Sequence, residues 1–199
     1  MSKKNIVQVL LIIGLIAAAW NYYQSRQPRF QAGQPAPAIT FPMTTGDSLS
    51  LESFRGKTVL IHFWGSWCGP CRQENPHLVA LYQKYHPKGL EIISISVERN
   101  QAGWEKAKAE LPWPYHVLES GRFDGPAATL FNVHQIPSLF LVNSSGTITG
   151  ANPSLPLLEK MLAEQCIWQI GNPFCKGIII ALVESNCRLL DYLGGPHYR

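Results

Sequence analysis

The sequence predicts an α/β fold, a central sheet flanked by helices, from three features. TVLIHFW (58–64) is apolar on both parities apart from one His, and LEIISISV (90–97) reads as a second buried strand despite Glu91, Ser94 and Ser96, as strands covered on both faces do. One stretch with helical spacing separates them, which makes a parallel strand-helix-strand unit the natural assembly. SLFLVNSSGTITG (138–150) then reads as two strands around a Ser-Ser-Gly turn, and LPLLEKMLAEQ closes the fold as a helix from about Leu155.

Taken in order, the chain opens with Lys3 and Lys4 ahead of an apolar run, 6–23, interrupted only by Gln8 and Asn21. As a helix this run would span about 27 Å, close to the thickness of a bilayer's hydrocarbon layer. Residues 1–23 are therefore expected to form a signal anchor or transmembrane segment, with Trp20, Tyr22 and Tyr23 as an interfacial belt. The alternative is a signal peptide cleaved behind Ala17-Ala18-Ala19. Either way the folded part is expected in the periplasm or another extracytoplasmic space. Residues 24–37, polar and rich in Pro and Gly, read as a linker. The folded domain is expected over 38–165.

That domain begins with two short strands around 44–47, the first kept at an edge by Pro42. A helix over 68–85 gathers Leu78, Leu81, Tyr82 and Tyr85 on one side, and Pro76 is expected to kink it. A helix over 102–111, a short strand YHVL and a helical piece over 125–131 follow. The tail, 166–199, holds Cys166, Cys175 and Cys187 without a readable pattern.

Composition excludes several classes. With 46% apolar and 15% charged residues, the chain is not a disordered solvating segment. A formal charge of +4, mild and scattered, is no footprint for nucleic acid, so none is expected as a partner. Five cysteines leave at least one unpaired, or bridged to another molecule, in an oxidising compartment.

The chemistry concentrates in FWGSWCGPCRQE (63–74), where two cysteines follow a buried strand and open a helix. A cysteine at a helix's first turn faces unpaired N–H groups and the positive end of the dipole, which stabilise a thiolate. Cys68 is expected to be that nucleophile. Cys71, nearly one turn on, is the resolving thiol, and Trp67 offers a flat apolar lip to an incoming protein. A metal clip would need a second ligand pair, and Cys166 with Cys175, nine apart, is not one; no metal or cofactor is expected. A purely structural bridge this short would stabilise little by loop closure.

WCGPC after a buried strand, followed later by Ile136-Pro137 before SLFLV, resembles the thioredoxin superfamily. The N-terminal anchor, the front hairpin and the long segment between Val97 and Ile136 are similar to its TlpA/ResA-like, membrane-anchored branch. The resemblance covers about 34–165 and implies a thioredoxin-like fold, a central mixed sheet with an N-terminal hairpin and an inserted helix-strand segment. It also implies a cis Pro137, with the backbone at Ile136 pairing with a bound substrate. Glu74 matches an acidic residue that this branch carries three positions after the second cysteine, where it can help take a proton from Cys71; a solvated helix glutamate is the rival reading. His62 departs from the pattern, since plain thioredoxins place an acid six positions before the first cysteine. It is read as a hydrogen-bonded core residue in preference to a proton relay. Ser138 stands where Thr is commoner.

The implied activity is thiol-disulfide exchange on protein disulfides, acting as a reductant that a membrane electron-donor protein recharges, often for cytochrome c maturation. Two alternatives are a peroxide-reducing enzyme and a copper-binding assembly module, for which His134 is the placed ligand. The remaining histidines show no ligand spacing and read as surface or packing residues.

Overall fold

The structure is a computed structural model and describes residues 3–43, 46–119 and 121–169. The apolar N-terminal run forms α1 (Lys3–Ser25), and over Asn5–Ser25 it is long and apolar enough to cross a membrane, with none of that stretch buried against the rest of the chain. A small antiparallel hairpin follows, β1 (Thr40–Pro42) with β2 (Ser48–Ser50), and Leu51–Phe54 then winds as a 3-10 turn. The second of the two short strands expected around 44–47 is thus confined to three residues. Ser50 accepts the backbone N–H of Glu52 through its hydroxyl and so starts a turn instead.

The two fully buried runs become β3 (Thr58–Trp64) and β4 (Leu90–Ser96), paired in parallel with His62 opposite Ser94. Between them lies α2 (Gly69–Tyr85), which continues through Pro76. Its covered stripe, Cys71, Asn75, Leu78, Tyr82 and Tyr85, has the spacing of one helix face, and each such apolar side chain contributes about 1.5–3 kcal/mol on burial. After β4 come α3 (Gln101–Lys108), β5 (Tyr115–Leu118) and α4 (Pro126–Phe131). Then β6 (Ser138–Val142) and β7 (Ile148–Ala151) form the second hairpin, and α5 (Leu155–Gln169) closes the described fold. The five-stranded sheet has the order β5-β4-β3-β6-β7, with β3, β4 and β5 parallel and β6 and β7 antiparallel to their neighbours. A mixed sheet with helices on both faces is what the sequence led one to expect.

Alternation along each strand makes two cores. One face carries Leu60, Trp64, Ile92, Leu139 and Leu141 under α2 and α5, and Trp104 of α3 joins it. The other carries Val59, Ile61, Phe63, Ile93, Ile95 and Phe140 under α4 and the front hairpin.

The stretch read as a linker packs against the domain along much of its length. Arg29 N–H donates to Phe131 O at 3.3 Å, Gly33 N–H to Ile148 O at 2.8 Å and Ala36 N–H to Gly146 O at 2.9 Å. Phe30 meets Phe131 edge-on at 5.3 Å. Asn132, whose φ of 55° ends α4 in the left-handed region, donates its amide to Ser25 O and Gln27 O at 3.0 and 2.6 Å. One side chain thereby holds the end of α1 against the sheet domain. The tail cysteines Cys175 and Cys187 lie outside the described residues, as does the side chain of Cys166.

Candidate active site

Cys68 is the N-cap of α2. With φ −88° and ψ 107° it stands just outside the helix, and its Sγ accepts the backbone N–H of Cys71 at 3.2 Å. Gly69 and Pro70 fill the first turn, where the missing N–H of proline costs no helical bond. The two sulfurs are bonded to each other, with Cα atoms 5.3 Å apart. They are unequal in position. Cys68 retains 5% exposure while Cys71 has none and lies in the core with Trp64 and Leu78. On reduction, the sulfur at position 68 faces the open N–H groups of the helix, which favour its anionic form.

The structure brings the distant Ile136-Pro137 pair beside this helix end. Their peptide bond is cis, and the carbonyl oxygen of Ile136 lies 3.8 Å from Cys68 Sγ. Ser138 turns its hydroxyl back to donate to Gln135 O at 2.8 Å. Trp67 is 37% exposed. Its Nε1 donates to Val97 O at 3.3 Å, and the Arg99 guanidinium lies 4.1 Å from the ring centre.

Glu74 sits one turn beyond Cys71, half-buried, and its Oε2 is covered without a hydrogen-bond partner. Burial pushes its carboxyl above the ordinary carboxylate range, with nearby His77 pulling the other way. A carboxyl in that state accepts and returns a proton more readily than a solvated one.

His62 is wholly buried, with Nδ1 3.4 Å from Ser94 Oγ and its ring stacked 6.1 Å from Trp64. Burial holds its pKa down to about 3, and His116 pushes the same way, so the ring is neutral near pH 7. The register puts His116 on the far side of Ser94, and burial lowers it to about 4. Ser94 also accepts from Trp113 Nε1 at 2.8 Å. A polar row thus crosses β5, β4 and β3 inside the core. His134 stands apart on the surface, bonded to Asn132 Oδ1 at 2.9 Å. Among the described residues no group of three or more His, Cys, Asp or Glu is gathered as a metal ion requires.

Sequence reasoning passed over Glu98. Its buried carboxylate accepts from Ser66 N–H at 2.6 Å, from the Ser66 hydroxyl at 2.9 Å and from the Ser96 hydroxyl at 2.8 Å. Nothing local in ISVERN marks it, because its partner Ser66 lies 32 residues upstream.

The profile of the AhpC/TSA family matches residues 32–151. Thiol-disulfide oxidoreductase ResA of Bacillus cereus (strain ATCC 10987 / NRS 248) is 30% identical over 154 residues, covering 73% of this chain and 87% of its own length. Among solved structures, the C-terminal domain of a putative thiol-disulfide oxidoreductase from Bacteroides thetaiotaomicron superposes with a TM-score of 0.62 at 26% identity, over 68% of this chain and 96% of that one. The thioredoxin domain of a thiol-disulfide oxidoreductase from Bacteroides vulgatus gives 0.61 at 31% identity, over 68% and 97%. With its dithiol at a helix N-terminus, the chain belongs to the AhpC/TSA family and is a ResA-like thiol-disulfide oxidoreductase of thioredoxin fold.

Proposed function

We propose that the protein reduces protein disulfides outside the cytoplasm while tethered to the membrane by α1. The observation that carries this reading is the inequality of the two cysteines: Cys68 caps the helix and keeps a small exposed area, and Cys71, one helical turn on, is fully buried. The Cys68 thiolate attacks one sulfur of a client disulfide, forming a mixed disulfide and releasing the other client sulfur as a thiolate. Cys71 gives up its proton and attacks Cys68 Sγ. The second client sulfur leaves as a thiolate, the client has gained two electrons, and the enzyme holds its own bridge.

Glu74 is the group that takes the Cys71 proton, directly or through water, since its carboxyl is half-buried on the same helix face and already displaced toward holding one. Ile136 and Pro137 supply the substrate-side backbone, with the Ile136 carbonyl beside the sulfur. Trp67 is the lip against which the client lies. The dithiol is recharged by a membrane electron-donor protein, in the service of cytochrome c maturation. A 21-residue apolar helix ending at Ser25 supports the tether.

Cys71→Ala expressed in its host should trap a client on Cys68 as a mixed disulfide. Equilibration of the wild type with a glutathione buffer fixes the direction: a potential below that of glutathione supports the reductant, and one well above it makes the protein an oxidant and ends this reading.

A further inference from the structure

The three residues that follow β4 each grip the dipeptide that precedes Cys68. Val97 takes the indole N–H of Trp67 at 3.3 Å, Arg99 lies 4.1 Å from the centre of the same ring, and Glu98 between them binds Ser66 through both backbone N–H and hydroxyl. Glu98 is only 7% exposed, and the Ser96 hydroxyl donates to the same oxygen, Oε1, that takes the Ser66 N–H. Three hydrogen bonds to its carboxyl group satisfy it inside the fold and leave it little freedom.

The surroundings are closed as tightly. A Cβ at Gly65 would come within 2.9 Å of Trp67 Nε1 and 3.2 Å of Ile136 Cδ1, so this glycine lets the indole fold back and the Ile136 loop approach. A Cβ at Gly103, in α3, would reach Ser66 Oγ at 3.2 Å. Trp67 is therefore held on its indole edge by a carbonyl, over its ring by a cation, and through its neighbour by a buried carboxylate.

We propose that Glu98 is a positioning residue for client recognition: with Val97 and Arg99 it fixes Ser66-Trp67 as a rigid lip, so that a protein segment lying across Trp67 delivers its disulfide to Cys68. This rests on the exchange reading above. A small disulfide reaches Cys68 without lying across the lip, whereas a folded or extended client must use it. Loss of the clamp therefore separates the two kinds of substrate, because misplacement of a binding surface costs orientation that only the larger substrate had used.

The test measures kcat/KM of the full chain in detergent on insulin and on dithiobis(nitrobenzoate), for wild type, Glu98→Ala, Glu98→Gln and Arg99→Ala. Glu98→Ala should lose roughly tenfold more on insulin than on the small disulfide. Glu98→Gln, which keeps an acceptor oxygen for Ser66, should fall between it and wild type. Arg99→Ala, at the exposed end of the clamp, should show a selective loss of about threefold. Adding Ser66→Ala to Glu98→Ala should cost little more, since the two share one interaction. Equal proportional losses on both substrates, or insulin kinetics unchanged in both Glu98→Ala and Arg99→Ala, would overturn the clamp. A wild type inert on both disulfides would instead sink the exchange reading, and the clamp with it.

Discussion

The two faces of the central sheet are built from the same strands and differ in what they bury beside hydrocarbon. Away from the dithiol, Val59, Ile61, Phe63, Ile93, Ile95, Phe131 and Phe140 meet in an aromatic and aliphatic core, with Phe131 and Phe140 rings 4.8 Å apart. Toward the dithiol, the alternate positions of the same strands carry His62, Ser94, Ser96 and His116 among tryptophans and the two cysteines. Both faces bury hydrocarbon, with Leu60, Leu78, Ile92, Leu139 and Leu141 filling the second, but the face that holds the two cysteines also keeps polar groups inside its core, at some cost in stability.

Substitutions on each face should therefore fail differently. Cys68→Ser should abolish disulfide reduction, by roughly 10³-fold or more in an insulin assay, with the urea midpoint of the reduced protein little changed. Phe131→Ala on the apolar face should do the reverse, destabilising the fold by about 3–5 kcal/mol while the activity per folded molecule survives. Denaturant titration and rate measurement on the same preparations would decide, and a Phe131→Ala protein of full stability would break the contrast.

Smaller effects sharpen it. Glu74→Gln should slow resolution by roughly 10²-fold, seen as a mixed disulfide with a model client that persists in quenched-flow traps. A Glu74→Gln rate equal to wild type would return Glu74 to an ordinary helix position.

The polar face should also make stability depend on pH. His62 and His116 have folded-state pKa values depressed to about 3 and about 4, so their contribution is fully present above the ordinary histidine value and is lost as pH falls toward those figures. In that window the unfolded chain binds protons that the folded one refuses, and stability drops by about 1.4 kcal/mol per pH unit for each histidine. Glu74 and Glu119, both raised by burial, hold protons more readily when folded and oppose the trend. Urea midpoints between about pH 7 and pH 4.5 should show the net fall, and His62→Leu should remove a large part of it. An unchanged slope in His62→Leu would mean that the acid sensitivity arises elsewhere. Least of all, Lys84→Ala, which breaks a surface pair with Glu159 at 2.7 Å between α2 and α5, should leave the midpoint where it was.

Much of this was determined by the sequence alone, because it is written in local pattern. Short, largely apolar runs rich in β-branched residues read as strands covered on both faces, and a Cys-Gly-Pro-Cys between a buried strand and a helical stripe places one sulfur at a helix start. Those signals span a few neighbouring residues, and the structure put β3, α2 and β4 where they pointed. What tertiary structure decided lies at longer range. The Ile136 carbonyl meets Cys68 across 68 residues, and Glu98 meets Ser66 across 32, because two loops at the same end of adjacent strands converge. The alignment of His62, Ser94 and His116 is a matter of strand register, and the half-burial of Glu74 depends on what packs over its helix. No periodicity in the chain encodes these meetings; they exist only once strand pairing, parallel for β3 with β4 and antiparallel for β3 with β6, has fixed which residue of one strand lies beside which residue of the next.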